Sequence, residues 1–288
     1  MSSSNPNNRR GWRPGRVGVG LLLWPVEKLG GKTLSTLDHI GAVMILQWQA
    51  TVWIWRALTQ RKVRVGKAAL VSQICRIGVQ SILIVSLVSG AVGLILALQL
   101  APPLDDFGQR DKLANIIGVA VLRELGPLIG AIVLTGFAGA SIAAEIGTMV
   151  VSEEIEALEA HALNPVRFLV VPRVVAATLA MTVLGVLSSF MAIFAALLVS
   201  TLVLDIPFDT YMKNTLAQAE MVDFWTGTVK GAVFGMLIGI IACTNGLKVT
   251  GGAAGVGKAT TYTVVECVVS IVVADLVFTT IFFALDLN

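Results

Sequence analysis

Long segments with few or no charged residues alternate with polar segments along the chain and predict five membrane-spanning helices. Ile77–Ala101 is uncharged for 25 residues and Val174–Leu204 for 31, and about 20 apolar residues are enough to cross the hydrocarbon of a bilayer. The excess length of the third segment predicts that it tilts or continues beyond the bilayer. The five predicted spans are Ile77–Ala101, Leu113–Ala144, Val174–Leu204, Phe224–Leu247 and Thr260–Leu285.

Polar segments separate these spans. Pro102 and Pro103, followed by Asp105, Asp106 and Arg110, predict a loop after the first span, because proline interrupts helices. The polar segment Asp205–Asp223 has room for a short helix. Residues 1–30 are predicted to form a disordered basic N-terminus, and residues 68–288 to form the membrane domain.

Residues 31–67 carry a helical stripe of a different kind. Apolar residues recur every three or four positions there, and tryptophan rings favour the headgroup level of a membrane. The pattern predicts an amphipathic helix that lies in the cytoplasmic interface. A short membrane-spanning helix is the alternative, because Ile40–Trp55 has no charge. The stripe consists of Leu34, Leu37, Gly41, Met44, Trp48, Val52 and Trp55.

Composition supports a polytopic membrane protein. Hydrophobic residues make up 56% of the 288 residues, charged residues 14%, and the mean hydropathy is +0.83, whereas soluble domains carry about 25% charged residues. These values exclude a disordered tail, a disulfide scaffold and an ordinary cytosolic enzyme. Only three cysteines and two histidines are present, and their spacing predicts no metal site.

The distribution of positive charge predicts the orientation. Residues 1–76 contain 12 of the 21 Lys and Arg residues but only two acids, which favours contact with anionic lipid over nucleic acid. With the N-terminus inside, cytoplasmic segments hold 16 Lys and Arg residues and outer segments hold three. Because cytoplasmic segments are enriched in positive charge, the N-terminus is predicted to be cytoplasmic.

Charged residues within the spans predict a functional site, because charge is costly there and usually marks a pathway or cavity. Arg123 and Glu124 lie about ten residues into the second span, and Asp275 in the fifth span is the predicted partner of Arg123 by depth. These three and Gln99 are assigned to a substrate cavity. Lys230 is near a span end, so we expect it to snorkel to the interface without a function.

The second span also contains residues that predict a local break and close packing. Pro127 cannot donate to the carbonyl of Arg123, and small residues let helices approach closely. The residues assigned to structural packing are Gly126, Pro127, Gly136, Gly139 and Glu145.

Two cytoplasmic segments remain. Gly252–Lys258 has the spacing of a phosphate-binding loop, but Ala259 replaces the Ser or Thr that would bind magnesium, so it is predicted to be a flexible loop. Ser152–Leu163 predicts a short acidic helix capped by Ser152, with an apolar side, that docks a soluble partner. Its assigned contact residues are Glu153, Glu154, Glu156, Leu158 and Glu159, with Asn164 and Pro165 ending it.

Several blocks in this order resemble the MlaE/YrbE family of ABC-transporter permeases. The blocks are Leu122–Pro127 (LRELGP), Ala144–Met149 (AEIGTM), Glu156–Glu159 (EALE), Asn164-Pro165, and Gly255–Thr261 (GVGKATT) followed by Val264, Val265 and Asp275. The resemblance covers residues from about 30 onward and implies five spans after an N-terminal interfacial helix.

The resemblance implies a homodimeric, non-enzymatic permease that moves phospholipid between the inner and outer membranes of a bacterium. Cytoplasmic ATPase subunits would power it, a periplasmic MCE-domain protein would exchange lipid with it, and some members bind a STAS-domain protein. It also makes the acidic helix the coupling helix. The family often has Arg where Phe137 stands, so the role of that cation is not carried over. No cofactor is implied.

Two other classes are weighed against this one. A stand-alone secondary transporter or channel would use the intramembrane charges for ion coupling and would need neither an ATPase nor a docking helix. An intramembrane enzyme would need a nucleophile and a base at one depth. Both histidines, His39 and His161, lie near the predicted cytoplasmic side, which argues against the enzyme.

Overall fold

The computed structural model describes residues 34, 37–56 and 67–285. Within these residues, five helices are long and apolar enough to cross a membrane, which confirms the predicted all-α membrane fold. All five begin before the predicted spans, and the first and second also end beyond them. The first to fifth spans are Ala68–Asp106, Arg110–Val151, Val166–Leu202, Met221–Leu247 and Gly252–Ala284.

The first three spans each consist of more than one helical segment, the fourth and fifth are single helices, and from Lys67 onward two short helices lie outside the spans. The segments from Lys67 onward are Lys67–Ile77, Val79–Ser81 (3-10), Ile82–Asp106, Arg110–Lys112 (3-10), Leu113–Ala120, Val121–Leu125 (π), Gly126–Leu134, Thr135–Gly139 (π), Ala140–Val151, Glu154–Ala160, Val166–Val170 (π), Val171–Leu202, Phe208–Gln218, Met221–Leu247 and Gly252–Ala284. Phe208–Gln218 confirms the short helix predicted between the third and fourth spans.

The third span lies at the centre of the bundle, where it packs against the first, second and fourth spans. Small residues bring the backbones together. A methyl group added at Gly93 would collide with the carbonyl oxygen of Ala192, and one at Gly235 would lie 2.5 Å from the carbonyl oxygen of Ala177. The first and fourth spans therefore pack directly on the backbone of the third.

The fifth span packs on the second and fourth spans but is the least covered of the five. In its most apolar stretch 11% of the residues are buried, compared with 61% for the fourth span. Most of its surface is therefore not covered by the other described residues of the chain.

Two predicted loops are helical. The first span continues through Pro102 and Pro103 to Asp106. Because Pro102 and Pro103 have no N–H donor, the carbonyls of Leu98 and Gln99, four residues earlier, lose their helical hydrogen bonds, and the helix continues for only three residues beyond Pro103. Gly252–Lys258 forms the start of the fifth span rather than a flexible loop. Gly251 and Gly252 adopt φ of +85° and +69°, so the turn that glycine favours is confined to these two residues.

A helix covers residues 37–56, which agrees with the helical stripe predicted there. The chain divides into two units between Met44 and Ile45. In the second unit Leu46 and Ala50 are buried, and the guanidinium groups of Arg56 and Arg167 lie 5.3 and 5.7 Å from the ring centre of Trp53. The interfacial position of this helix stays a prediction. Residues 1–30, predicted to be disordered, and residues 57–66 lie outside the described residues.

Candidate functional site

The second span contains a π-helical turn, Val121–Leu125, at the predicted break. Pro127 lacks an N–H, and the N–H of Gly126 donates to the carbonyl of Val121. Two serines of the third span support the turn: Ser188 Oγ donates to the Gly126 carbonyl (2.7 Å) and Ser189 Oγ to the Val121 carbonyl (3.4 Å). Single π turns within helices occur frequently at functional sites, and this one carries Arg123 and Glu124.

Lys230 is the centre of a buried charge network. Its side chain is 0% exposed, and Nζ donates to Glu124 Oε2 (2.5 Å), Asp275 Oδ1 (3.0 Å) and Thr279 Oγ1 (3.3 Å). An ammonium group has three donors, and all three are used. We call Glu124, Lys230, Asp275 and Thr279 the charge network; it joins the second, fourth and fifth spans.

The geometry corrects two predictions. Arg123 does not pair with Asp275; its Nε donates to Asp223 Oδ1, because depth along a helix does not give the direction in which a side chain points. Lys230 does not snorkel, because it is completely buried. A signal for both was present in the sequence. Asp223 and Lys230 are seven residues apart, which places them on one face of the fourth span.

Asp223 is held in place from two sides. It is 1% exposed, and its Oδ2 accepts from the N–H of Glu220 (3.0 Å) in a capping box that starts the fourth span. Its other carboxylate oxygen accepts from Arg123. The ion pair therefore fixes the start of the fourth span against the π turn of the second.

The carboxylates of this region outnumber its cations, and one of the carboxylates is accessible to a ligand. Arg123 and Lys230 carry two positive charges, and Asp223, Glu124 and Asp275 carry three negative ones when ionised. Glu124 is 34% exposed and is the most accessible of the three carboxylates.

The structure brings together three of the four residues assigned to a substrate cavity. Glu124 and Asp275 share Lys230, and Arg123 lies next to Glu124 on the π turn. Gln99 is exposed on the first span and makes no hydrogen bond to the charge network.

The glycines assigned to structural packing differ in how closely neighbouring helices approach them. A methyl group at Gly126 would collide with Ser189 Oγ, and one at Gly139 would lie 3.4 Å from Ile238, but one at Gly136 would meet nothing within 4 Å. Gly136 therefore meets no neighbouring helix among the described residues, and its assignment to packing stays a prediction.

Glu145 lies at the predicted cytoplasmic end of the second span between two arginines. Oε2 accepts from Arg76 Nη1 and Oε1 from Arg173 Nη2, both at 3.1 Å. Arg173 is buried, whereas Arg76 is half-exposed and lines a small pocket with Phe137. Because these two arginines come from the first and third spans, Glu145 ties three spans together.

An apolar cavity of about 480 Å³ lies on another side of the second span. The second, third and fourth spans and the short helix Phe208–Gln218 surround it. None of the four residues assigned to the substrate cavity lines it. The lining includes Leu122, Pro127, Phe190, Ile193, Phe194, Phe208 and Phe224.

The acidic helix is confirmed as Glu154–Ala160. Its acids are exposed and Leu158 is half-buried. Ser152 does not cap it; the residue before the helix is Glu153 with φ of 60°, and Ser152 Oγ donates to the carbonyl of Thr148. Asn164 also differs from the prediction. Its Oδ1 accepts from the N–H groups of Val166 and Arg167, so it caps the next helix.

Comparison with known proteins gives consistent results. The family described as "Permease MlaE" matches residues 70–281. A "Probable ABC transporter permease protein" of Rickettsia bellii is 32% identical over 91% of this chain and 99% of the relative. A protein of the same description from Rickettsia conorii is 35% identical over 89% and 97%. "Protein TRIGALACTOSYLDIACYLGLYCEROL 1, chloroplastic" of Arabidopsis thaliana is 32% identical over 82% and 71%.

Proposed function

The chain belongs to the MlaE permease family, and from this premise we propose that it moves phospholipids between two membranes. It is the multi-pass membrane subunit of an ABC transporter. The ATP-hydrolysing partner is a separate chain. The finer proposal concerns the substrate, the route and the other partners.

The charge network is the observation that carries the lipid proposal. A phospholipid presents a charged headgroup and apolar tails, so its carrier needs polar groups inside an apolar bundle. Glu124 offers an accessible carboxylate, and the guanidinium group of Arg123, bound to Asp223 through Nε, lies one residue away. One relative carries the name of a galactosylated diacylglycerol, an uncharged glycolipid, which supports a substrate with two acyl chains.

The acidic helix Glu154–Ala160 is the proposed coupling site for the ATPase. Its exposed acids offer charge to a basic surface, and Ile155 and Leu158 are half-buried on its other side. Asn164 and Pro165 position the third span behind the helix. The proposed contacts are Glu153, Glu154, Glu156, Leu158 and Glu159. Motion of the ATPase would then reach the membrane through the second and third spans, which flank this helix.

The uncovered fifth span supports a homodimer. The other described residues of the chain leave most of its apolar surface open, and a second copy would cover it by packing between helices. We further propose a bacterial inner membrane location, a cytoplasmic N-terminus, a periplasmic MCE-domain partner and, as an accessory, a STAS-domain protein.

Reconstitution tests this function. The permease and its ATPase subunits are placed in liposomes, and movement of labelled phospholipid to an acceptor membrane is measured with and without ATP. We expect ATP-dependent transport that Glu124→Gln lowers at least tenfold, whereas Asp209→Asn, at an exposed acid of the short helix, retains it. Lipid movement without the ATPase, driven by an ion gradient, would instead support the stand-alone secondary transporter.

Affinity purification gives an independent test. An ATPase subunit and phospholipid should both co-purify with the chain, as mass spectrometry would show. We expect Leu158→Asp to lower ATPase recovery at least tenfold while bound phospholipid is retained. Recovery of neither the ATPase nor phospholipid with the unmodified chain would refute the proposed function.

A further inference from the structure

We propose that the apolar cavity between the second, third and fourth spans holds one hydrocarbon chain of a membrane lipid. This site is distinct from the charge network and does not depend on the proposed transport function. Its walls come from four helices, with Leu122 and Pro127 on the second span, Ile193 on the third and Phe224 on the fourth.

The lining excludes water and polar ligands. Ser189 and Thr228 supply side-chain hydroxyl groups to the lining, and both donate to backbone carbonyls: Thr228 to Phe224 (2.7 Å), and Ser189 to Gly185 (3.1 Å) or Val121 (3.4 Å). A buried water needs two to four polar partners, and these walls offer almost none. The occupant is therefore a hydrocarbon group.

The volume favours a lipid chain over a helix of another protein. A helix about 10 Å across has a cross-section of roughly 80 Å², so 480 Å³ corresponds to only about 6 Å of its length. An apolar cavity of about 150 Å³ holds one benzene molecule, and this cavity is about three times larger. It therefore has room for an extended chain of a dozen or more carbon atoms.

The position of the cavity indicates where the hydrocarbon chain of a lipid would enter and where it would end. The short helix Phe208–Gln218 covers one end through Phe208 and Met212. Next to Leu122 and Gly227, the fourth span packs so closely on the Leu122 carbonyl that a methyl group at Gly227 would collide with it. Phe190 and Phe194, which stack with ring centres 6.4 Å apart, are exposed on the third span. We infer that the hydrocarbon chain of the lipid enters the cavity past these two rings.

Photolabelling tests the site in the assembled transporter. The full chain with its partner subunits is placed in nanodiscs that contain phosphatidylcholine and a small fraction of phosphatidylcholine with a diazirine on one acyl chain. After irradiation, mass spectrometry locates the label. We expect labelling at Ile193 and Phe224 at least fivefold above Val183, which is 68% exposed on the third span but outside the cavity.

A pair of matched variants separates the site from general contact with lipid. Ile193→Trp fills the cavity, whereas Val183→Trp adds the same side chain at an exposed position of the same helix. We expect Ile193→Trp to reduce labelling at Phe224 at least fivefold and Val183→Trp to leave it unchanged. If Ile193→Trp does not fold, as judged by size-exclusion chromatography, the smaller change Val186→Phe serves in its place.

Three outcomes would overturn the proposal. The first is labelling of the lining no stronger than that of Val183. The second is an equal loss of label in the cavity-filling and control variants. The third is labelling that appears only when partner subunits are absent, which would show that a protein segment fills the cavity.

Discussion

Removal of the Lys230 ammonium should destabilise the protein strongly, because it leaves two carboxylates without their shared cation. Lys230→Met keeps the length and apolar stem of the side chain but removes the bonds to Glu124, Asp275 and Thr279. Removing one partner of a buried ion pair costs about 3–5 kcal/mol. With a shift of about 2–4 °C per kcal/mol for large domains, we expect Tm to fall by about 6–20 °C.

Thermal unfolding of the purified protein in detergent, followed by tryptophan fluorescence, measures this change. Lys213→Met is the matched control, because Lys213 is exposed on the short helix. Adding Glu124→Gln and Asp275→Asn to Lys230→Met should recover most of the lost Tm, since a neutral set of side chains no longer needs a cation. A loss of Tm no larger than that of Lys213→Met would refute the role assigned to Lys230.

Three further changes test other contacts. Arg123→Ala should lower the unfolding free energy by about 3–5 kcal/mol, because Asp223 is 1% exposed, and adding Asp223→Asn should restore part of the loss in thermal unfolding; additive losses would contradict the pairing. Gly235→Ala should prevent normal packing on the third span, whereas Gly136→Ala should be tolerated, since only the first meets neighbouring atoms; size-exclusion profiles would compare them. Burial raises the pKa of Tyr211 to about 12. Its neutral form is favoured in the folded state, so stability should fall by up to about 1.4 kcal/mol per pH unit as pH rises from about 10 to 12. Tyr211→Phe should remove this contribution, and an identical pH dependence of unfolding in the variant would contradict it.

The spans were predictable because their signal is local and strong. Runs such as Val174–Leu204 need no knowledge of neighbouring helices, and the structure places a helix over nearly all of this run. The break near Pro127 was predictable for the same reason, since proline acts on its own helix. The identity of the Arg123 partner was not, because it depends on how the second and fourth spans rotate against each other.

Lys230 shows a second limit of sequence reasoning. Its distance from the end of the predicted span allowed its ammonium to reach water, and depth alone favoured that. The structure instead surrounds it with three oxygen atoms from the second and fifth spans. The glycines at the start of the fifth span were also misleading. They suggested a loop, but Ala253 and Ala254 continue the helix.

The charge network also has a consequence for biosynthesis. A charged residue at the centre of a helix opposes membrane insertion by about 2.5–3.5 kcal/mol, and the fourth span has the lowest mean hydropathy of the five, 1.6. Because the chain is made from its N-terminus, Glu124 enters the bilayer before Lys230, and Lys230 before Asp275. Each later charge can therefore meet one of opposite sign that is already in place. We expect the alternation of acid, base and acid along the chain to let the earlier helices assist the insertion of the later ones.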